Sequence, residues 1–267
     1  MSVLPVREVE KVWGREHLPA PFAAPPGKRI GEIWFEPPAE LPNLLVKYIF
    51  TSEKLSVQVH PDDAQALAAG ETDSGKEECW LIIDADPGAK LAVGFGDTVD
   101  AATMRAAALD GSIEDLLAWH PAKAGDFFYI PAGTVHAIGG GLSLIEIQQN
   151  SDITYRLYDY GRPRELHLDA GMAVARGEPH ETALRRHIPD RGTVELARGR
   201  YFTAHRVDGD PGDALRAEYD TPLLVIPREG AVRLHGERVR PGECASAPSI
   251  EALEFDDDAL CVIVRPA

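Results

Sequence analysis

Between residues 55 and 60 apolar and polar side chains alternate without a break: Leu55, Val57 and Val59 on one parity, Ser56, Gln58 and His60 on the other. A period of two predicts a β-strand. One of its faces presents a hydroxyl, an amide and an imidazole in a row, about 7 Å apart. Pro61 ends the pairing. Shorter runs of β character predict further strands over 31–36, 44–50, 78–84 and 90–95, then over 126–131, 134–138, 142–148 and 154–159. Over 62–70 the pattern is a short helical turn that Asp62 or Asp63 can cap. The period changes over 98–120. Val99, Met104, Ala107, Ala108, Leu109, Ile113, Leu116, Leu117 and Trp119 follow helical spacing, Gly111 divides two helices, and Ser112 with Asp115 resembles a capping box. Residues 1–30, with Trp13-Gly14 and Pro25-Pro26-Gly27, read as extended chain and turns along an edge. Residues 163–190, polar and marked by proline, read as a connector, and 193–267 return to short strands.

A β unit recurs. Gly125, Asp126, Pro131, His136, Leu144 and Ile145 align with Gly242, Glu243, Pro248, Leu253, Cys261 and Val262 at a constant spacing of 117. Leu81-Ile82-Ile83 and Gly88 align with Leu223-Leu224-Val225 and Gly230 at 142, the difference being about the length of the helical segment. The second copy has Leu253 where the first has His136, so the chemistry belongs to the first. The expected organisation is all-β, with one unit over 1–187 that carries the helical insertion near 98–119 and a smaller, degenerate one over 188–267.

The 267 residues suffice for one large or two small domains. A net charge of −16 argues against nucleic acid or an anionic membrane surface as partner. Cys79, Cys244 and Cys261 show no CxxC spacing, and no apolar run approaches a membrane span. The expected compartment is the cytoplasm; monomer and homodimer both stay open.

Four residues could share one ion: Gln58, and His60, Glu78 and His136, the last three on separate β segments, each beside a turn. Two imidazoles, a carboxylate and an amide oxygen suit Zn²⁺, Mn²⁺ or Fe²⁺. Lys47, Lys76, Arg156 and Arg162 bracket them, which in so acidic a chain suggests capture of an anion such as phosphate. There is no Walker-type or GxGxxG loop.

These residues carry a resemblance. Lys47 with 55–63, the run Gly75-Lys76-Glu77-Glu78-Cys79-Trp80, the segment 130–138 around His136, and 149–162 with Tyr155-Arg156 and Tyr158-Asp159-Tyr160-Gly161-Arg162 resemble the type I mannose-6-phosphate isomerases in their short bacterial form. Trp13-Gly14 and Gly31-Glu32-Ile33-Trp34 are similar to that family as well, and the resemblance spans roughly residues 8–165. It implies a cupin (jelly-roll) fold and one Zn²⁺ held by Gln58, His60, Glu78 and His136. It further implies catalytic roles for Lys76, Arg156 and Glu146, and substrate contacts from Ser56 and Lys47. The large helical domain of longer members is missing here. The activity implied is the interconversion of mannose 6-phosphate and fructose 6-phosphate through a cis-enediol(ate), the base being undecided between Glu146 and other polar groups. The competing readings are another metal-dependent cupin such as a dioxygenase, and a non-catalytic sugar-binding cupin.

Overall fold

The strand Leu44–Phe50 is buried at every position, although it carries a lysine. It lies inside a seven-stranded antiparallel sheet that is covered on both faces. In spatial order that sheet runs Val6–Arg15, Ile30–Phe35, Leu44–Phe50, Leu142–Gln149, Glu78–Ala85, Asp126–Ile130 and Arg185–His187. A computed structural model describes residues 2–71 and 74–267 of the chain.

Side chains on adjacent strand positions point to opposite faces. Val46, Tyr48 and Phe50, with Cys79, Leu81, Phe127, Ile145 and Ile147, form one face. Lys47, Glu78, Trp80 and Glu146 occupy the opposite parity and face a second, five-stranded sheet. That sheet is ordered Tyr155–Tyr158, Val57–Val59, His136–Ile138, Lys90–Phe95 and Leu117–Pro121. The remaining chain builds a five-stranded sheet (Val194–Arg198, Phe202–Asp208, Leu260–Pro266, Leu223–Glu229, Ala245–Ala247) and a three-stranded one (Glu237–Val239, Val232–Leu234, Leu253–Phe255). Phe202, Ala204, Leu224, Ile226, Val262 and Val264 from the former pack into the same cluster as Tyr48 and Phe50. The layers are thus four sheets, with the seven-stranded one between the small sheet of its own half and the large sheet of the other. Among the described residues no helix is long and apolar enough to cross a membrane.

Strand pairing bears out the repeat and corrects its register. Cys79 pairs with Ile147 and Glu78 with Ile130; Leu224 pairs with Val264 and Leu223 with Ala247. The partners are 117 apart, so Leu223 stands in the place of Glu78, three positions from the alignment made on sequence. Short apolar runs match at several spacings, but a shift of three reverses which face each side chain takes. On the same pairing His205 stands where Lys47 does, opposite Ile263 instead of Glu146.

Other expectations need correction. The first thirty residues are not merely edge-wrapping chain, because Val6–Arg15 pairs with Ile30–Phe35. The strand over 55–60 is cut to Val57–Val59. In the insertion the helices are Ala101–Asp110 and Ile113–Leu116, and Leu117–Pro121 is a strand along Lys90–Phe95. Leu117 and Trp119 are two apart, a spacing that a strand uses as well as a helix does. Ser112 makes no cap bond, since its hydroxyl goes to Asp110. The expected connector holds a helix, Leu168–Val174, packed on Met104 and Leu157, and the edge strand Arg185–His187, paired with Asp126–Phe128.

Candidate active site

Pro61 and the capped helix Asp63–Ala69 end the strand Val57–Val59 and fix His60 at its rim. Asp62 accepts from the backbone of Gln65, whose side chain accepts from Asp62 N. His60 Nδ1 lies 2.7 Å from the Ile153 carbonyl, and His136 Nδ1 lies 2.9 Å from that of Thr134. A carbonyl only accepts, so each Nδ1 carries the proton and each Nε2 keeps its lone pair. Both Nε2 atoms face Glu78 Oε1, at 3.8 Å for His60 and 3.5 Å for His136. His60 Nε2 and Glu78 Oε1 have no hydrogen-bond partner although fully buried. Burial holds His60 well below its ordinary pKa and lowers His136 to about 4, so both rings are neutral. Three buried donor atoms that converge within 4.8 Å, two of them orphaned, fit a divalent cation. Gln58 closes the group: its Nε2 is 3.2 Å from His136 Nε2, while its oxygen accepts from Ser56 Oγ. A half-turn of that amide presents the oxygen to the same centre.

The second shell of charge is also buried. Lys76 Nζ lies 2.9 Å from Glu78 Oε2 and 3.8 Å from Glu146 Oε1, and Lys47 Nζ lies 3.1 Å from Glu146 Oε1. Trp80 Nε1 donates to the other Glu146 oxygen at 3.1 Å. Burial opposes ionisation of Glu146, but Lys76 and Lys47 outweigh it and hold the carboxyl at about 2. Burial likewise opposes the charge on Lys76, yet Glu146 and Glu78 raise its pKa. Lys47 is lowered, because burial exceeds the help of Glu146. Burial and the neighbouring Glu146 push Glu78 up to about 7.

Above this floor lies a cavity of about 220 Å³, to which Ser56, Gln58, Lys76, Glu146 and Arg156 contribute. Arg156 comes from Tyr155–Tyr158, the strand beside Gln58, and donates to Glu165 O at 2.8 Å. Lys47, Ser56, Gln58, Lys76, Glu146 and Arg156 line this cavity, and the His60–Glu78–His136 group lies against Gln58 and Lys76. Arg162 is different. It binds Asp159 and the carbonyl of Lys54, and Arg164 lines the cavity instead.

This arrangement recurs among known proteins. A mannose-6-phosphate isomerase of Streptococcus mutans is 36% identical over 231 residues, which is 80% of this chain and 71% of that protein. One from Bacillus subtilis is 39% identical over 211 residues, 74% of this chain and 65% of its own. The chain belongs to the mannose-6-phosphate isomerase family. No family model matches it. The crystal structure of a Bacillus subtilis mannose 6-phosphate isomerase shares the fold, with a TM-score of 0.81 at 24% identity over 99% of both chains.

In this family member three contributors had no role in the sequence reading. Trp80 was placed in a buried run, but its bond to Glu146 depends on the pairing of their two strands. Trp34 packs its ring 4.2 Å from Lys47 Nζ, and again only the register tells, since Trp34 pairs with Lys47. Arg164 gives no signal that separates it from Arg162.

Proposed function

We propose that this chain interconverts mannose 6-phosphate and fructose 6-phosphate as a metal-dependent aldose–ketose isomerase. The observation that carries the reading is the buried His60–Glu78–His136 group, with both Nε2 lone pairs turned on one carboxylate oxygen. It lies under a cavity edged by Lys76, Lys47 and Arg156, cations suited to a phosphosugar. The family's names supply the substrate.

In this proposal Gln58, His60, Glu78 and His136 hold one Zn²⁺. A zinc ion held there would supply Lewis acidity to the bound sugar. The chain's own groups do the rest. Lys76 and Arg156 bring positive potential to the oxygen that turns anionic as a cis-enediol(ate) forms. Glu146 stays ionised between two lysines and anchors both cations; the same two charges weaken it as a base, so proton acceptance by it needs Lys76 or Lys47 to turn toward the substrate. Ser56 and Lys47 contact the substrate. Lys47, through its bond to Glu146, also keeps that carboxylate charged. Residues 1–187 act as the catalytic unit, and 188–267 as a degenerate copy that covers its back. The cytoplasm, where phosphorylated sugars are made, is the proposed compartment, in keeping with three unpaired thiols.

The test is a coupled assay for fructose 6-phosphate formed from mannose 6-phosphate, before and after chelation and on Zn²⁺ restoration. Chelator-resistant isomerisation removes the metal from the proposal. Oxygen uptake without isomerisation favours a dioxygenase, and sugar binding without turnover a non-catalytic cupin.

A further inference from the structure

We propose that the protein carries a second anion site, for an oxyanion of the size of inorganic phosphate, held by Arg228 and Tyr48 between the two halves. The site is a cavity of about 130 Å³ on the face of the seven-stranded sheet opposite the catalytic one. Tyr48 belongs to the strand Leu44–Phe50 and points away from Lys47, its neighbour in the chain. Arg228 belongs to Leu223–Glu229 in the other half. The ladder with Leu260–Pro266 shifts register between Pro227 and Glu229, so Arg228 is the extra residue of a bulge. A bulge re-aims its side chain out of the regular alternation. Here it turns a guanidinium into the cavity that Tyr48, Phe22 and Gly242 help to wall.

That guanidinium is half-buried, and no described residue partners it. Among the described residues it makes no ion pair and no hydrogen bond. Asp84, on the same cavity, is exposed and outside ion-pair range. Burial lowers the pKa of Arg228, but an arginine has no accessible neutral form. A half-buried cation without a partner has lost part of its hydration, which a counter-ion restores. The Tyr48 hydroxyl beside it has no protein partner either, and burial pushes its pKa up, so it remains a donor. Neither group is among the partnerless polar atoms sealed from solvent, so an ion can reach both. Two donors facing one small space suit an oxyanion. The chain's net charge of −16 makes such a local cation necessary for anion capture.

The experiment is isothermal titration of inorganic phosphate into the full chain and into its Arg228→Leu and Tyr48→Phe variants, with ionic strength held constant by sodium chloride. Phosphate uptake by the catalytic cavity is common to all three and cancels. The expected result is one phosphate site present in the parent, absent in Arg228→Leu and weakened about tenfold in Tyr48→Phe, the loss of one hydrogen bond to a charged group. Arg228→Leu should keep isomerase kcat/KM within about twofold in phosphate-free buffer, since losing an unpaired half-buried charge does not unfold the protein. An isotherm unchanged by Arg228→Leu overturns the proposal. A second measurement needs no variant: crystals soaked in selenate should show its anomalous peak beside Arg228, and an empty cavity at saturating selenate overturns the proposal equally.

Discussion

His60 and His136 spend their Nδ1 protons on backbone carbonyls, so each has a single remaining function, a lone pair pointed at Glu78. Removing either ring leaves two protein donors and Gln58, too few to retain a tightly bound ion. His60→Ala and His136→Ala should each lose the metal, by elemental analysis, and with it the isomerase activity, while circular dichroism stays that of the parent. Full activity in a metal-free His136→Ala protein would refute the assignment. Lys47 and Arg156 separate two effects. Arg156 has its Nε free of partners and sits at the substrate cavity, so Arg156→Ala should lower kcat about a hundredfold and move KM little. Lys47→Ala should mainly raise KM. It should also shift the acid limb of the pH profile, because Glu146 at about 2 loses one of the two cations that hold it below its ordinary 4.5. A carboxylate with a depressed pKa stays charged down to that pKa; weakening the depression moves the loss of activity to higher pH, within the window between those values. An acid limb unmoved by Lys47→Ala would show that Glu146 ionisation does not depend on Lys47. His60 and His136 were legible because each stands beside a turn on a β segment, where its type is unusual, whereas the roles of Lys47, Arg156 and Glu146 came from the family resemblance, since a charge in a strand does not name its partner. Trp80 was not legible, since a tryptophan in an apolar run looks like core until pairing sets it across from Glu146.

At the scale of single elements, local chemistry decided which readings held. For the helix Asp63–Ala69 the sequence offers Asp62 or Asp63 as cap; the structure selects Asp62, and Gln65, which the sequence reading does not name, returns the reciprocal bond. Its stability rests on that cap, because seven residues are too few to hold a helix by themselves. Asp62→Ala should therefore cost about 1 kcal/mol in chemical denaturation. An unchanged midpoint and slope would mean that packing of Ala66 alone holds the turn. The segment 112–121 shows the opposite case. Ser112 and Asp115 have the spacing of a capping box, but the Ser112 hydroxyl has a closer acceptor in Asp110, 2.6 Å away. The strand Leu117–Pro121 then forms on the exposed edge of Lys90–Phe95, a partner that no local pattern names. The same holds for Arg185–His187, whose polar residues read as a connector and become a strand only because Asp126–Phe128 offers an open edge. Edge strands take their structure from a neighbour, so their own sequence is a weak guide.

For the molecule as a whole, the decisive fact is that the two halves share one apolar layer. Tyr48, Phe50, Phe127 and Ile145 of the first half and Phe202, Leu224, Ile226 and Val264 of the second belong to a single buried cluster. The run 44–50 reads as a strand that is apolar on both parities except at Lys47, which does not say what each face meets. What covers these faces was hidden, because a repeat read from short strands tells that two units exist and not which faces meet. The sharing has an energetic consequence. Phe202 is fully buried in the common layer although it comes from the half without chemistry. Phe202→Ala should destabilise the protein by about 3–5 kcal/mol through the lost transfer energy and the cavity left behind. Because the damage is felt on both sides of the layer, unfolding should stay one cooperative transition at a lower temperature. Calorimetry gives the number of transitions. Loss of isomerase activity reports the first half, and hydrogen exchange of the Val225 and Ile263 amides, on paired buried strands of the second, reports the other. Coincident curves are expected for the parent and for Phe202→Ala. If the variant instead lost protection of those amides at a temperature where activity persisted, the halves would be separately stable. The apolar layer would then be a contact between two independent folds, and not the core that makes them one.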